Sequence, residues 1–225
     1  MQRCFDILFA GLAVIVLSPL LIPIALLLRF TGEGEIFFLQ ERIGKGGRPF
    51  NLFKFATMLK NSPSIGTGTV TVKGDARILP VGKFLRKTKI NELPQLFNIL
   101  LGDMSIVGPR PLTKQTFGAY APETQAIVLR VRPGLSGIGS VIFRDEESML
   151  HGQHDALEYY HRVVAPYKGT VERWYVENNR LFNYFAIVLA TIWVVVLPRS
   201  PLVWRLFPTL PSPPRELQAT LNHPG

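Results

Sequence analysis

The segment GDARILPVGKFLRKTKINELPQLFNILLGDMSIVGPRP, from Gly74 to Pro111, carries the most structural information in the chain. Its second half predicts a helix. Asn91 is a residue type that caps helix starts, Leu93, Leu96, Phe97 and Leu100 share one face at helical spacing, and Gly102 stops the run. Gly108-Pro109-Arg110-Pro111 then reads as a rigid loop, since each proline fixes its own φ. The first half is basic, with Arg77, Lys83, Arg86, Lys87 and Lys89. An arginine fork donates two parallel hydrogen bonds to a phosphate, and a helix start adds free amides and a positive dipole end. Two readings follow: an anion site near residues 86–92, or a plain N-cap beside a solvated basic face.

Toward the N-terminus, Glu35 to Gln40 and Phe50 to Phe55 predict two short strands around the turn Gly44-Lys45-Gly46-Gly47, a small β-hairpin. Residues 61–74, rich in Ser, Gly, Thr and Pro, read as an exposed loop. Before the hairpin, Ile7 to Leu28 form a run of 22 residues without a charge, close to the ~20 a helix needs to cross a bilayer. A cleaved signal fits less well, because its apolar core is usually about 7 to 15 residues and ends at a small-residue site. Ser18-Pro19 breaks the run at its middle and Pro23 follows a turn later. Proline has no amide to donate, so part of the helical bonding must be made good by a neighbour such as a serine hydroxyl. A kinked spanning helix and a re-entrant hairpin both satisfy this. From Arg42 to Lys89 basic residues are opposed only by Asp75, which by the positive-inside rule places this part in the cytoplasm. Such residues also suit anionic headgroups.

Toward the C-terminus, Arg132-Pro133-Gly134 is a second rigid loop, and Asp155 to Val164 and Thr170 to Tyr175 predict further helix. Leu181 to Leu197 is a charge-free run of 17 residues, short for a crossing, so an interfacial or domain-packed helix is the favoured reading. Seven prolines in the last 28 residues predict an extended, weakly ordered tail.

The 225 residues are 47% apolar, enough to bury a sizeable core, and the net charge of +9 points to an anionic partner. The single cysteine, Cys4, excludes an internal disulfide and any Cys-x-x-Cys site. No Gly-x4-Gly-Lys-Ser/Thr and no Gly-x-Gly-x-x-Gly after a strand is present, which argues against P-loop and Rossmann nucleotide sites. His151 and His154 have the spacing of a metal pair but no acidic or cysteine partner in a recognised pattern, so solvated loop histidines are the better reading. Nucleic-acid binding is disfavoured, since the basic residues lack interleaved stacking aromatics and adjoin a membrane segment.

Several segments together resemble the bacterial sugar transferases, monotopic polyprenyl-phosphate phosphoglycosyltransferases. They are the apolar start with its Ser-Pro break, Gln40-Glu41-Arg42-Ile43-Gly44, Lys54-Phe55-Ala56-Thr57-Met58, Asp75-Ala76-Arg77, Leu85-Arg86-Lys87-Thr88, Asn91 to Asn98, Gly102 to Pro111, and Val131 to Gly137. The length looks like the minimal catalytic unit of that family. The resemblance implies an α+β, mostly helical fold: a re-entrant membrane helix hairpin (1–30), a cytosolic helical catalytic domain with the small β-hairpin and interfacial helices (31–197), and a Pro-rich tail (198–225). It further implies an enzyme of the inner membrane, with its catalytic domain on the cytoplasmic face. That enzyme would move a sugar-1-phosphate from a UDP-sugar to polyprenyl (undecaprenyl) phosphate, releasing UMP and using Mg²⁺, as the first membrane step of a surface glycan. UDP-sugar, polyprenyl phosphate and membrane lipids are the implied partners, nucleic acid is not, and homo-oligomerisation is left open. Lys54, Arg77, Arg86, Arg110, Arg132 and Arg144 are the expected substrate-binding residues.

In the family an Asp-Glu pair opens the helix, the Asp attacking phosphorus, and here the pair reads Asn91-Glu92. An amide is a poor nucleophile, whereas Asn caps a helix as well as Asp does. Glu92 is then the catalytic candidate beside Asn91, as nucleophile or as the base for direct attack by polyprenyl phosphate. It is also the candidate Mg²⁺ ligand, with Asp145 a second one. Ala56 stands where a basic residue is usual, and Phe143-Arg144-Asp145-Glu146-Glu147 is more acidic than the family pattern. The rival reading is a catalytically silent scaffold that keeps a nucleotide-sugar pocket.

Overall fold

The computed structural model describes residues 1–65, 75–146, 149, 155–197 and 200–224. His151, His154 and the 66–74 part of the expected loop lie outside the described residues. The chain divides into two compact units, Cys4–Glu41 with Asn51–Gly102, and Met1–Arg3 with Arg42–Phe50 and Asp103–Gly225.

The first unit begins with α1 (Gln2–Phe30), which contains both Pro19 and Pro23. The Pro19 ring removes the amide that would bond the carbonyl four residues back, at Ile15. The Ser18 hydroxyl donates to that same Ile15 carbonyl at 2.8 Å, as the Ser-Pro pair suggests it should. The helix runs on through the pair to Phe30. Leu17, Leu21, Ile24, Ala25 and Leu28 recur at helical spacing and pack with Ile36, Phe55, Val81, Leu85, Ile90 and Leu93 into one apolar cluster. The other faces are apolar and exposed, among them Leu12, Ile15, Val16, Ile22 and Leu26.

Strands β1 (Phe37–Ile43) and β2 (Pro49–Phe55) form the expected two-stranded sheet, turned by a short 3-10 segment at Lys45–Gly47. Beyond β2 the chain is stitched to the start of α2 (Pro80–Lys87). Leu59 N–H donates to the Arg77 carbonyl at 3.0 Å and Leu79 N–H to the Thr57 carbonyl at 3.0 Å. Gly82 allows this contact, since a Cβ there would lie 2.2 Å from the Thr57 oxygen. The helix expected from Asn91 is divided into a 3-10 turn (Ile90–Glu92) and α3 (Gln95–Leu101), with Pro94 as the N-cap of α3. Gly102 ends α3 at φ 98°, as expected of a glycine stop. Asn98, fully buried, accepts from Phe53 N–H (2.9 Å) and donates to the Asn51 carbonyl (2.8 Å), clamping α3 to β2.

In the second unit the two predicted rigid loops flank a parallel strand pair. Strand β3 (Ser105–Val107) pairs with β4 (Gly134–Ser136) in the register Ser105 to Gly134 and Val107 to Ser136. The backbones cross so closely at Gly108 and Gly134 that a Cβ on Gly134 would lie 2.1 Å from the Gly108 nitrogen. The hairpin tip bonds to the same region, through Ile43 N–H to the Leu112 carbonyl (3.0 Å) and Gly46 N–H to the Leu129 carbonyl (2.8 Å). Short helices α4 (Lys114–Phe117), α5 (Pro122–Val128) and α6 (Ile138–Ile142) follow.

The two C-terminal helices predicted from sequence are one longer passage. Helix α7 (Ala156–Tyr159) runs through a π turn (Tyr160–Val164) into α8 (Ala165–Glu177). Pro166 has no amide for the carbonyl four residues before it, and Ala165 N–H bonds instead to Tyr160, five residues back. Helix α8 packs on α5 and α6. Helix α9 (Leu181–Val196) packs on β3, β4 and α6 with Tyr184, Ala186, Ile187, Ala190 and Val194 buried, while Phe182, Leu189, Ile192, Trp193, Val195 and Val196 are exposed. One face docks on the domain and the other stays apolar and uncovered, the pattern of a domain-packed interfacial helix.

The expected weakly ordered tail is overturned. It forms α10 (Leu202–Leu206) and α11 (Arg215–Gln218) and buries Val203, Trp204, Phe207, Leu210, Leu217 and Leu221. Tyr167 Oη donates to the Pro211 carbonyl at 2.7 Å, and the Trp174 and Phe207 rings meet edge-on at 5.7 Å. Proline content misled because these prolines sit at helix starts and in extended links, where a missing amide costs little.

Candidate active site

The residues expected to act fall in both units. In the first, Lys89 occupies the left-handed region at φ 61° and turns the chain from α2 into the 3-10 turn that carries Asn91 and Glu92. A lysine held there costs about 1 kcal/mol, so the turn is under local strain. Asn91 is not the expected N-cap, since its side chain makes no capping bond. It is buried at 6% exposure, and its Oδ1 has no hydrogen-bond partner. Such an orphaned acceptor is costly in a protein interior unless something binds it. Glu92, half-buried, follows directly and donates its N–H to the Lys89 carbonyl at 3.1 Å.

Three of the expected cations, Arg86 in α2, Lys54 on β2 and Arg77 ahead of α2, lie in the same unit as this turn. Arg86 sits in the last turn of α2, half-buried, with Nη1 3.6 Å from the Met58 sulfur, a soft contact that leaves most of the guanidinium's capacity for an anion. Lys54 stands on β2 with Nζ 3.5 Å from Gln40 Oε1, at the limit of a hydrogen bond. Arg77 is 6% exposed and bidentate to Asp75 (2.8 and 2.6 Å), and it donates to the Ser62 and Ile65 carbonyls at 2.7 and 2.8 Å. Those bonds use Nε and both terminal nitrogens, so the group is tied into the fold.

In the second unit Arg110 follows β3 in the Gly-Pro-Arg-Pro loop and lines a small cavity with Ile43, Gly44, Leu129 and Pro133. Its backbone N–H donates to Glu172 Oε1 of α8 at 3.2 Å. Arg132, half-buried, opens the second loop. Arg144 donates to the Val194 carbonyl at the end of α9, so part of its guanidinium caps a helix. Asp145 is exposed, and among the described residues no three His, Cys, Asp or Glu side chains gather as a metal cluster.

Sequence reasoning missed the most buried charges. Glu172 (1% exposed) and Lys168 (2%) lie one turn apart on α8, and Lys168 Nζ donates to both Glu146 oxygens at 2.8 and 2.6 Å. Burial pushes the Glu172 carboxyl from 4.5 up to about 7, opposed by the Arg110 amide and the Lys168 charge. Burial likewise lowers the Lys168 pKa, against the pull of Glu146. The available signal was their position: both fall on the helix stripe that also carries Val164, Val171 and Tyr175, all buried.

A family model described as bacterial sugar transferase matches residues 1–198. The exopolysaccharide production protein ExoY of Sinorhizobium fredii is 35% identical over 213 residues, covering 88% of this chain and 87% of that protein. The UDP-N-acetylgalactosamine-undecaprenyl-phosphate N-acetylgalactosaminephosphotransferase of Aeromonas hydrophila is 42% identical over 143 residues, 63% of this chain and 34% of the relative. The undecaprenyl-phosphate galactose phosphotransferase of Salmonella typhimurium is 32% identical over 210 residues, 87% of this chain and 40% of the relative. The chain thus spans most of ExoY but well under half of the other two.

Proposed function

Because the chain belongs to the bacterial sugar transferase family, we propose that it moves a sugar-1-phosphate from a UDP-sugar to undecaprenyl phosphate at the membrane, releasing UMP. The observation that carries this is the family match across 198 residues, joined by relatives whose names share one reaction type. Glu92 is the reacting carboxylate. Either it attacks the β-phosphorus of the donor, expelling UMP and forming an acyl phosphate to the sugar whose phosphorus undecaprenyl phosphate then attacks to free Glu92, or it is the base that activates undecaprenyl phosphate to attack the same phosphorus directly and expel UMP. Arg86 and Lys54 balance charge on the transferring phosphoryl group, and Arg110, fixed between two prolines, presents its fork to the diphosphate.

Mg²⁺ fits the residues present. The family's magnesium would rest on the Glu92 carboxylate and the unpartnered Asn91 Oδ1, hard oxygen ligands of the kind Mg²⁺ takes alongside substrate phosphates. It would screen the negative charge of the phosphoryl oxygens. Membrane attachment is through α1, the one helix among the described residues long and apolar enough to cross a bilayer. The reading places the basic segment on the cytoplasmic face and bends α1 back at Ser18-Pro19.

Asn91 itself favours one other reading, a silent nucleotide-sugar-binding subunit, because an amide cannot supply the family's nucleophile. One experiment divides them. Detergent-purified protein with Mg²⁺, undecaprenyl phosphate and a panel of UDP-sugars should release UMP, and Glu92→Gln should abolish release. Mass spectrometry with donor alone separates the two routes, since a phospho-sugar adduct on Glu92 marks the two-step path. Silence with every donor sinks the transferase reading, and full activity in Glu92→Gln removes Glu92 from the reaction.

A further inference from the structure

The charge cluster behind Arg110 has no place in the reaction as set out above. Glu172 reaches Arg110 through the backbone, with Oε1 accepting the Arg110 N–H at 3.2 Å, and its Oε2 has no partner among the described residues. Helix α6 makes room for the carboxylate by carrying Gly139, where a Cβ would come within 2.3 Å of Oε1. The groups facing Glu172 from the surrounding elements are Arg110 from its loop, Lys168 from the preceding turn of α8, Tyr120 before α5, Tyr160 in the π turn and Glu146 after α6. Lys168 is held by Glu146 and lies over the Phe143 ring, 5.6 Å from its centroid. Tyr120 Oη and Ser140 Oγ are buried without partners, so polar support around Glu172 is sparse.

We propose that Lys168, clamped by Glu146, is a positioning residue for donor binding: it steadies the Glu172 carboxylate that anchors the backbone of the Arg110 loop. The inference rests on the reading that Arg110 binds the donor diphosphate. An ionised carboxylate makes a charge-assisted bond to the Arg110 amide, about twice as strong as a neutral one. Without a nearby cation the buried carboxyl takes up a proton at higher pH, and the bond to the Arg110 amide falls to the strength of a neutral one. Lys168 therefore sets how far toward low pH the loop stays presented. The energy of a purely local ion pair would end at Glu146, whereas here it is passed on to a loop that carries a substrate ligand.

The test measures UDP affinity of the full-length protein in detergent with Mg²⁺, by calorimetry between pH 6 and 9, so it does not depend on turnover. Lys168→Met should weaken UDP binding about tenfold at neutral pH, the loss of one charge-assisted hydrogen bond. The pH below which affinity declines should also move upward relative to wild type. The probe's own phosphate titrates alike in every variant, so the difference between curves is the readout. Lys168→Met leaves Glu146 unpaired and can harm folding, and Lys168→Met/Glu146→Gln guards against that. The double variant should recover thermal stability yet keep part of the weakened binding and of the shifted pH midpoint, because loss of the Glu146 charge offsets only some of what Lys168 supplies to Glu172. Recovery of wild-type affinity and midpoint along with stability would show that the pair only holds the fold, and would overturn the proposal. Wild-type protein that fails to bind UDP at any pH removes the donor-site reading and this proposal together, whereas equal binding by wild type and Lys168→Met removes only the proposal.

Discussion

Glu172 shows how a single residue sets function against stability. Its carboxyl is raised by burial to about 7 in the folded protein, above the 4.5 of an exposed glutamate. Between those values the folded state holds a proton that the unfolded state has lost, so stability falls as pH rises through that window and then levels off. The cost above pH 7 is at most about 3 kcal/mol. Glu172→Gln keeps an oxygen to accept the Arg110 amide and removes the buried charge. Chemical denaturation should therefore find Glu172→Gln more stable than wild type at pH 8, with the advantage fading by pH 5. An equal difference at both pH values would mean that Glu172 does not titrate in this range. Asn91 is the complementary case. Its identity was plain in the sequence, but the cap assigned to it was wrong, because Lys89 in the left-handed region starts the turn and frees the amide oxygen.

At the scale of elements, periodicity and punctuation were informative wherever burial follows a repeat. The β-hairpin, the Gly102 stop, the domain-packed α9 and the two rigid loops are all in the structure, with the first strand at Phe37–Ile43 where Glu35–Gln40 was expected. What sequence concealed is long-range. The ties of the Arg77 guanidinium to Asp75 and to two carbonyls more than ten residues earlier in the chain leave no mark in the sequence. Parallel pairing of two three-residue strands leaves no periodic trace, and the Asn98 clamp spans more than forty residues. The C-terminal segment was misread by composition, since six buried apolar side chains outweigh its prolines. Phe207, 3% exposed and edge-on to Trp174, tests its weight. Phe207→Ala should cost about 3 to 5 kcal/mol, read as a lower denaturation midpoint. A change below about 1 kcal/mol would show the segment to be a surface ornament, as surface substitutions usually are.

The whole molecule's relation to the bilayer depends on how much of α1 is left for lipid. From Leu17 onward one side of the helix is committed to the apolar cluster with Phe55, Leu85 and Ile90, which belongs to the same unit as the basic residues of α2. Ahead of that commitment lie the charge-free residues Ile7 to Val16, of which Ala10 is itself buried while Leu8, Leu12, Ile15 and Val16 are exposed. At 1.5 Å per residue those ten span about 15 Å, half of a hydrocarbon core of roughly 30 Å. On the proposed hairpin reading such a helix reaches one leaflet and turns near Ser18-Pro19, where the Ser18 hydroxyl covers the Ile15 carbonyl that Pro19 leaves open. Exposed Phe182, Leu189, Ile192 and Trp193 on α9 give the other unit an apolar face of its own suited to lying at a membrane surface. On the proposed hairpin reading the first residue of the chain lies on the cytoplasmic side, with the basic segment that follows α1. A cysteine-bearing tag placed ahead of Met1, in cells and in inverted vesicles, should react with a membrane-impermeant thiol reagent only when the cytoplasmic face is exposed. Labelling of the tag from the outer face of intact cells would mean that α1 crosses, and that its contacts beyond Leu17 do not hold it to one leaflet.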